Sequence, residues 1–446
     1  MLTFYLVTDT HYYNSEVLGP SDHVDQITLN ENGAIIDAAF DKLIAKEDSD
    51  IILIAGDLTN NGERESHDGL IPKLRRLKEA GKRVYVITAT HDYGLTDITE
   101  DGESDRRAGA TYRNDLPALY HEFGFQDAIA TFEQFSYVVQ LAPGYRLLCL
   151  NDDGDGRAFC GYYEPQLNWI LEQIRLAKEA GDFIFAMTHH PVLPPSPVYP
   201  LMSKRDMLGN YENTSTVLAD AGLRFIFTGH AHMQSINCKR TERGNRLYDI
   251  NTGSLSGFPT PIRRVEIDDQ AMRITTEHID HFDWDLQGKT VMQYLSDHVD
   301  FLLNDIFDAA ANDIDRFADR AIGFSMEPET VYKLEIPITA AGQFLNKLTL
   351  GGLGVLCFCP QKIDKSVRNI KVKDLFVELV RNLYAGDEPY SKDTAVGTAL
   401  LAIAGNLNIL GAPFLKNTNL GNLKRLLYSF IYDPTPDNNA TLPLRD

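Results

Sequence analysis

The chain has 446 residues, enough for two or three domains, and its 43% hydrophobic and 24% charged residues are ordinary for a soluble globular protein. Its formal net charge of −21 excludes broad binding to nucleic-acid backbones, which relies on Lys and Arg, and opposes an anionic membrane surface as partner. The five cysteines show no disulfide or zinc-ribbon spacing. The N-terminus lacks a signal-peptide pattern, so we expect a cytoplasmic protein, although a chain whose leader was removed would look the same.

Residues 1–285 alternate short apolar runs with amphipathic stretches, which predicts an α/β domain with largely buried strands. The stretches LIPKLRRLKEAGK and EPQLNWILEQIRLAKEAGD have helical patterns and end in Gly after basic residues. Later runs predict consecutive strands with a turn at Asp268-Asp269 and a second, more antiparallel sheet. The apolar runs of the first part are FYLVTD, DIILIAGD, RVYVITATH, RLLCLND, DFIFAMTHH and LRFIFTGHAH.

Residues 286–446 have a different pattern, which predicts a mainly helical C-terminal domain of unknown role. Apolar residues recur at spacings of three and four from Val291 to Phe317, which predicts one long amphipathic helix. The apolar stretch at residues 394–415 is interrupted by Gly, Asn and Pro, so we do not expect a membrane span. This domain would cap the crevice, mediate a homo-oligomer or only add stability.

The apolar runs of residues 1–285 share one property, because each is followed by Asp or His. In open α/β sheets the functional crevice lies at the carboxyl ends of the strands. Repeated placement of such residues at strand exits is hard to explain by packing. Asp9 and His11, like His230 and His232, are two positions apart, so in an extended chain each pair projects to one side and can bind one ion or adjacent ions. The strand-end residues are Asp9, His11, Asp57, His91, Asp152, His189, His230 and His232.

Five short motifs that contain these strand-end residues together resemble those of a known family. DTH, AGDLTNNG, THD, THHP and TGHAH, in this order, resemble the motif blocks of the calcineurin-like metallophosphoesterases over roughly residues 1–285. GDLTNNGERESH, GYYEPQLNWI, MLGNYENT and NTGSLSG resemble more narrowly its bacterial cyclic-nucleotide phosphodiesterase branch. The resemblance implies a two-sheet sandwich flanked by helices, preceding the C-terminal helical domain.

The resemblance also implies a site for two divalent transition metal ions. Carboxylate and imidazole ligands suit Fe, Mn, Zn, Ni or Co without choosing among them. Two such ions clamp a phosphoryl group and activate a water between them as the nucleophile. By this resemblance Asp9, His11 and His232 hold one ion, His189 and His230 hold the other, and Asp57 bridges both.

The THD block contains both a proposed catalytic residue and a departure from the family pattern. By resemblance, His91 lies above the metals as a catalytic residue, and Asp92 holds its tautomer. The family has Asn, a ligand of the second metal, where this chain has Thr90. A hydroxyl is a poorer ligand than an amide carbonyl, so we expect the second site to bind metal less tightly.

Residues around the expected crevice are candidates for substrate binding. His190 follows a proposed ligand, and Arg107 and Arg113 lie in a long polar loop, where guanidinium groups can clamp phosphate oxygens. His190 could instead only line the wall, and either arginine could be solvated surface. We expect a phosphodiesterase acting on a small phosphoester such as a cyclic nucleotide. The alternatives are a phosphomonoesterase using the same site, or a non-catalytic binding or scaffold protein.

Overall fold

The chain divides into two compact units in the computed structural model. Unit 1 comprises Met1–Pro195, Met202–Tyr294 and Thr435–Asp446, and unit 2 comprises Ser196–Leu201 and Leu295–Pro434. The residues that the structure describes are 1–22, 25–94, 97–98, 104–105, 109–154, 160–197, 199–202, 204–321, 327–415 and 423–445.

The described strands belong to unit 1, and they include one strand at each of the six predicted apolar runs. They are β1 (Leu2–Val7), β2 (Ile51–Ala55), β3 (Arg83–Ile87), β4 (Asp97–Ile98), β5 (Ser104–Asp105), β6 (Ala128–Phe132), β7 (Ser136–Ala142), β8 (Tyr145–Cys149), β9 (Phe183–Met187), β10 (Phe225–Thr228), β11 (Ser235–Arg240), β12 (Arg246–Asn251), β13 (Pro261–Ile267), β14 (Ala271–His278) and β15 (Ala440–Pro443).

Two mixed sheets contain most of these strands. One has the order β15-β14-β13-β1-β2-β3, and the other has the order β11-β12-β10-β9-β8-β7-β6. The predicted turn at Asp268-Asp269 is confirmed between β13 and β14. A second sheet is present, and β13 and β14 pair antiparallel as expected. The expected grouping of the later runs in one sheet is wrong, because β12 pairs parallel to β10 while β13 pairs antiparallel to β1 in the other sheet.

The two sheets share one apolar core, and this positions the strand ends that carry the site. Phe4 of the first sheet stacks on Phe185 of the second, with ring centroids 5.3 Å apart, and meets Phe227 edge-on at 5.5 Å. All three side chains are fully buried. Burial of each such side chain contributes roughly 2–3 kcal/mol, so the rigid core fixes where each strand ends. The expected α/β two-sheet sandwich with helices is confirmed.

The helices are distributed over both units, and the C-terminal region is helical as predicted. They are α1 (Ser15–Leu18), α2 (Asn32–Ile44), α3 (Arg64–Glu79), α4 (Leu116–Leu119), α5 (Glu164–Ala180), α6 (Tyr199–Met202), α7 (Tyr211–Ala221), α8 (Val291–Asn312), α9 (Ile314–Ala321), α10 (Pro328–Lys333), α11 (Glu335–Leu345), α12 (Leu350–Leu356), α13 (Val372–Ala385), α14 (Ala395–Leu415) and α15 (Leu423–Ile431).

The prediction of one long helix from Val291 onward is wrong in one respect, because two helices, α8 and α9, occupy this stretch. Asp313 lies between them, and its carboxylate accepts a hydrogen bond from the backbone N–H of Arg316 at 3.1 Å. Asp at this position satisfies a free amide of the first turn, which favours a new helix start over continuation. Within the described ranges, no helix is both long and apolar enough to cross a bilayer.

Candidate metal centre

The carboxyl ends of strands from both sheets bring together the side chains that the motifs single out. Their ligand atoms form three overlapping groups, and within each group all atoms lie within 4.8 Å of one another. Two of the groups share Asp57 and two share His11, so the three form one cluster in the described part of the chain. The groups are Asp9, His11 and His232; Asp57, His189 and His230; and His11, Asp57 and His91.

Five of these residues have a left-handed backbone, which is uncommon for residues other than glycine. Such backbone angles cost about 1 kcal/mol or more each and persist where the surrounding structure enforces them, often at functional sites. The strain turns the chain sharply after β1, β2 and β10, so that polar side chains from different strands meet. The φ angles are 51° at Asp9, 40° at His11, 47° at Asp57, 64° at His230 and 54° at His232.

Hydrogen bonds from outside the cluster fix the orientation of two imidazoles. His189 Nδ1 donates to the Ala55 carbonyl at 2.9 Å, and His232 Nδ1 donates to Gln26 Oε1 at 2.5 Å. Since these oxygens can only accept, each Nδ1 carries a hydrogen, and Nε2 is the nitrogen that remains to bind a proton or a metal ion. This arrangement is typical of metal-binding histidines. Gln26 escaped sequence prediction, because it lies in a loop outside every motif block.

Buried atoms at the centre of the cluster lack the partner that their chemistry requires. Asp57 Oδ2 and His189 Nε2 lie 2.8 Å apart, yet their geometry allows no hydrogen bond for either. Asp9 Oδ1 lies 3.3 Å from His232 Nε2 and 3.7 Å from His11 Nε2. Electron-rich atoms this close repel unless a cation or proton is shared among them. The donor set therefore fits divalent metal ions.

The electrostatics of the cluster lead to the same conclusion. Burial alone would favour the neutral acid, but the surrounding histidines hold the pKa of Asp57 well below its usual range. Burial lowers the pKa of His11 to about 4. Burial also acts to lower the pKa of His189, but the Asp57 and Asp9 carboxylates outweigh this effect and raise the pKa to about 10. A buried anionic centre that draws a proton onto His189 would also attract a divalent cation.

The structure corrects the expected relationship between His91 and Asp92. His91 lies in a short turn after β3, and its Nδ1 donates to the Asn60 carbonyl. The Asp92 carboxylate instead accepts backbone N–H groups of Ala89 and Thr59, both at 2.8 Å. Asp92 therefore fixes the turn that carries His91, while Asn60 orients the ring. A backbone carbonyl has no sequence signature, so its role could not be predicted.

His190 is buried beside the cluster, and a carboxylate occupies one of its nitrogens. Its ring lies against that of His230, with centroids 4.2 Å apart and planes at 40°. Its Nδ1 is 2.9 Å from Asp152 Oδ1. Burial acts to lower the pKa of His190, but the Asp152 carboxylate outweighs this effect and raises the pKa well above its usual value. These contacts favour a supporting position over direct substrate binding. Asp152 was noted as a strand-end residue, but the sequence assigned it no role.

The remaining sequence-predicted residues have different outcomes. The guanidinium of Arg113 stacks on Phe135 at 4.0 Å and hydrogen-bonds to Asn151 at 3.1 Å, and it also pairs with Asp153. These contacts give Arg113 a structural explanation, and its substrate role stays a prediction. Arg107 lies outside the described residues. Thr90 begins the short turn that contains His91, which places it beside the cluster.

The fold and the site together define a class of protein, namely α/β proteins with a cluster of carboxylate and imidazole groups at the strand ends that can hold metal ions. Residues 2–234 match the family model described as calcineurin-like phosphoesterase. This match covers more than half of the chain, which therefore belongs to the calcineurin-like phosphoesterase family. The resemblance predicted at family level is confirmed, as is the assignment to phosphoester hydrolases that use divalent metals.

Solved structures similar to this chain have low sequence identity to it. A dimetal phosphatase from Danio rerio is 14% identical, with 63% of this chain and 97% of that one covered and a TM-score of 0.45. A 5′-nucleotidase precursor from Thermus thermophilus is 12% identical, with 78% and 60% covered and a TM-score of 0.35.

An NAD nucleotidase from Haemophilus influenzae is 13% identical, with 78% and 61% covered and a TM-score of 0.34. This chain thus spans about three fifths of each nucleotidase. Likenesses at this level carry no conclusion about substrate. No curated protein sequence matches the chain.

Proposed function

We propose that this protein hydrolyses a small phosphodiester, such as a cyclic nucleotide, with two divalent transition metal ions held in its strand-end cluster. Asp57 is the proposed bridging ligand, because its ligand oxygen groups both with His189 and His230 and with His11. The observation that carries the proposal is the buried pair of Asp57 Oδ2 and His189 Nε2, 2.8 Å apart without a hydrogen bond. The first ion would be held by Asp9, His11 and His232.

The metals, when bound, would neutralise phosphoryl charge and activate a water for attack on phosphorus. Fe, Mn, Zn, Ni and Co all fit this donor set. The protein's own residues do the remaining work. Asp92 holds the turn that carries His91, and Asn60 fixes the His91 ring by accepting from Nδ1. A protonated His91 can then donate from its other nitrogen to the leaving oxygen as bond cleavage proceeds.

The preference for a diester is supported by the sequence blocks that resemble the cyclic-nucleotide branch, whereas the metal cluster suits both ester classes. The test measures hydrolysis of bis-p-nitrophenyl phosphate and p-nitrophenyl phosphate, with Mn²⁺ added and then chelated. We expect chelation to abolish turnover and the diester to have the higher kcat/KM. A higher kcat/KM for the monoester would replace the proposal with a phosphomonoesterase.

A non-catalytic binding or scaffold protein is the alternative from another class, and Thr90 is the observation that favours it. A neutral hydroxyl here would weaken the second metal site relative to the family's amide. Absence of turnover with each of the five metals, together with a single bound equivalent, would support this alternative. We also infer a cytoplasmic location, which the lack of disulfide spacing among the five cysteines supports.

A further inference from the structure

One segment of unit 2, residues 347–373, has a charge opposite to that of the whole chain. It contains six basic residues and one acidic residue, against a net charge of −21 overall. None of the six cations lies within 4.0 Å of a carboxylate among the residues that the structure describes, whereas most described arginines elsewhere do. Asp364, the one acidic residue of the segment, interacts with Lys365 and Arg368 only at longer range. Five of the six are exposed, and Lys373 is half-buried. The six are Lys347, Lys362, Lys365, Arg368, Lys371 and Lys373.

The same segment exposes large apolar side chains beside these cations. Val355 is 61% exposed, Leu356 is 53% exposed and Phe358 is 72% exposed. The neighbouring Cys357 and Cys359 are buried in the core of unit 2. Alternating burial therefore turns Phe358 outward at the end of α12. Exposed apolar side chains clustered in sequence indicate an interaction site more often than isolated ones do.

The backbone of Phe358 is strained in a way that its side chain does not favour. Its φ of 55° lies in the left-handed region, where bulky residues are genuine outliers. Asn or Gly would adopt this angle at lower cost. An aromatic ring that is both strained and exposed brings no evident gain in folding, so a binding role explains it better.

Backbone and side-chain hydrogen bonds fold the segment back on itself and place two of its cations near the turn that follows α12. The Lys362 amide donates to the Cys359 carbonyl at 3.0 Å. The Arg368 guanidinium donates to the carbonyls of Ile363 at 2.8 Å and Pro360 at 3.2 Å. Gly351 N–H in turn donates to the Arg368 carbonyl at 3.0 Å. The Arg368 guanidinium is thereby held at Pro360, two residues after Phe358.

We propose that residues 347–373 form a peripheral docking surface for an anionic lipid membrane. Phe358, Val355 and Leu356 would enter the boundary between headgroups and acyl chains, while the cations meet lipid phosphates. Charge complementarity selects this occupant, because a twofold pairing of two copies through this segment would bring two like-charged patches together. The net charge opposes membrane binding of the chain as a whole, and this segment is the local exception. The inference is independent of the proposed catalysis.

The test is flotation of the full chain with vesicles of phosphatidylcholine alone or with about one third phosphatidylglycerol, at low and high salt. We expect binding only to the anionic vesicles, and we expect that binding to weaken at least several-fold as salt rises. Phe358→Asn should reduce binding at least several-fold. It should not unfold the protein, because Asn tolerates the left-handed backbone.

Ile336→Asn is the matched control, because Ile336 is 83% exposed in α11 of the same unit but outside the segment. It should leave vesicle binding unchanged. Lys362→Glu should weaken binding to anionic vesicles, and Lys392→Glu, outside the segment, should not. Equal binding to both vesicle types, no binding, or an unaffected Phe358→Asn variant would overturn the proposal. So would concentration-dependent dimerisation, measured by light scattering, that Phe358→Asn abolishes while vesicles remain unbound.

Discussion

Asp152 holds His190 against a proposed ligand of the second metal. Its Oδ2 accepts from the backbone N–H groups of His189 at 3.0 Å and His190 at 2.7 Å, and from the Thr188 hydroxyl at 2.7 Å. Its Oδ1 pairs with His190 Nδ1 at 2.9 Å. One buried carboxylate thus fixes the chain just after β9, where His189 enters the cluster.

Asp152→Asn should therefore weaken the second metal more than the first, because an amide cannot accept all of these bonds. Loss of such outer contacts typically lowers metal affinity by about 10–100-fold. Breaking the buried pair should also lower the free energy of unfolding by about 3 kcal/mol. The measurements are metal content by mass spectrometry and unfolding in denaturant.

Asp153→Asn is the matched control for this variant, since Asp153 is adjacent and buried but contacts Asn151 and Arg113 instead of the cluster. It should keep both metal equivalents. If the two variants lose metal equally, Asp152 has no special relation to the second site.

Asp57→Asn tests the proposed bridge directly. The variant keeps the shape of the side chain but removes the charge that faces His189 at 2.8 Å. We expect metal affinity to fall by more than about 100-fold, with turnover falling in parallel. Metal titration by calorimetry and the diester assay measure the two effects separately. An Asp57→Asn variant as active as the parent would refute the metallophosphoesterase site.

The role of His91 is tested by varying the leaving group. If His91 protonates the leaving oxygen, His91→Ala should cost about 10²–10⁴-fold with a poor leaving group such as phenol. The loss should be much smaller with p-nitrophenol, which departs without a proton. The measurement is kcat/KM for both esters. Equal losses would instead indicate that His91 only binds the phosphoryl group or the metal.

His67 provides a pH test of the support beneath the cluster. It is buried in α3, accepts from Tyr120 and donates to the Asp92 carbonyl at 2.9 Å, and burial lowers its pKa to about 4. A histidine with a lowered folded pKa binds protons preferentially when unfolded, so stability falls as pH drops from about 6.5 toward 4. Relative to neutral pH, the titration of His67 lowers the free energy of unfolding at pH 5 by roughly 2 kcal/mol.

We expect the free energy of unfolding of His67→Gln to fall less than that of the parent protein between pH 7.5 and pH 5, because the titration of His67 no longer contributes. The measurement is the free energy of unfolding at pH 7.5 and pH 5 in both proteins, with chelator present so that metal release does not contribute. Identical pH dependence in the two proteins would show that His67 is not the titrating group.

The site residues that could be predicted from the sequence lie directly after apolar runs, and those that could not lie in loops. Asp9, Asp57 and His189 were found because each follows an apolar run, and functional residues of α/β sheets lie at the carboxyl ends of the strands. That the ends of β1 and β2 in one sheet meet the end of β9 in the other could not be predicted from those runs. The carbonyl of Asn60 and the amide of Gln26 were missed, because their roles arise only once distant loops fold together. The division of α8 from α9 was missed although Asp313 is a common helix-start residue. The apolar spacing of three and four residues continues across Asp313, so this pattern did not indicate a break in the helix.

Thr90 is where the chain departs from its family, and a single substitution tests the consequence. Thr90→Asn would restore the amide oxygen that the resemblance assigns to the second metal. Half-maximal activity should then require about tenfold less added Mn²⁺, which corresponds to ~1.4 kcal/mol of binding free energy. Titration of both proteins after chelation gives the comparison, and Thr90→Val serves as the control because it keeps the shape without the hydroxyl. If Thr90→Asn neither tightens metal binding nor raises activity at low metal, the turn at residue 90 does not supply a ligand.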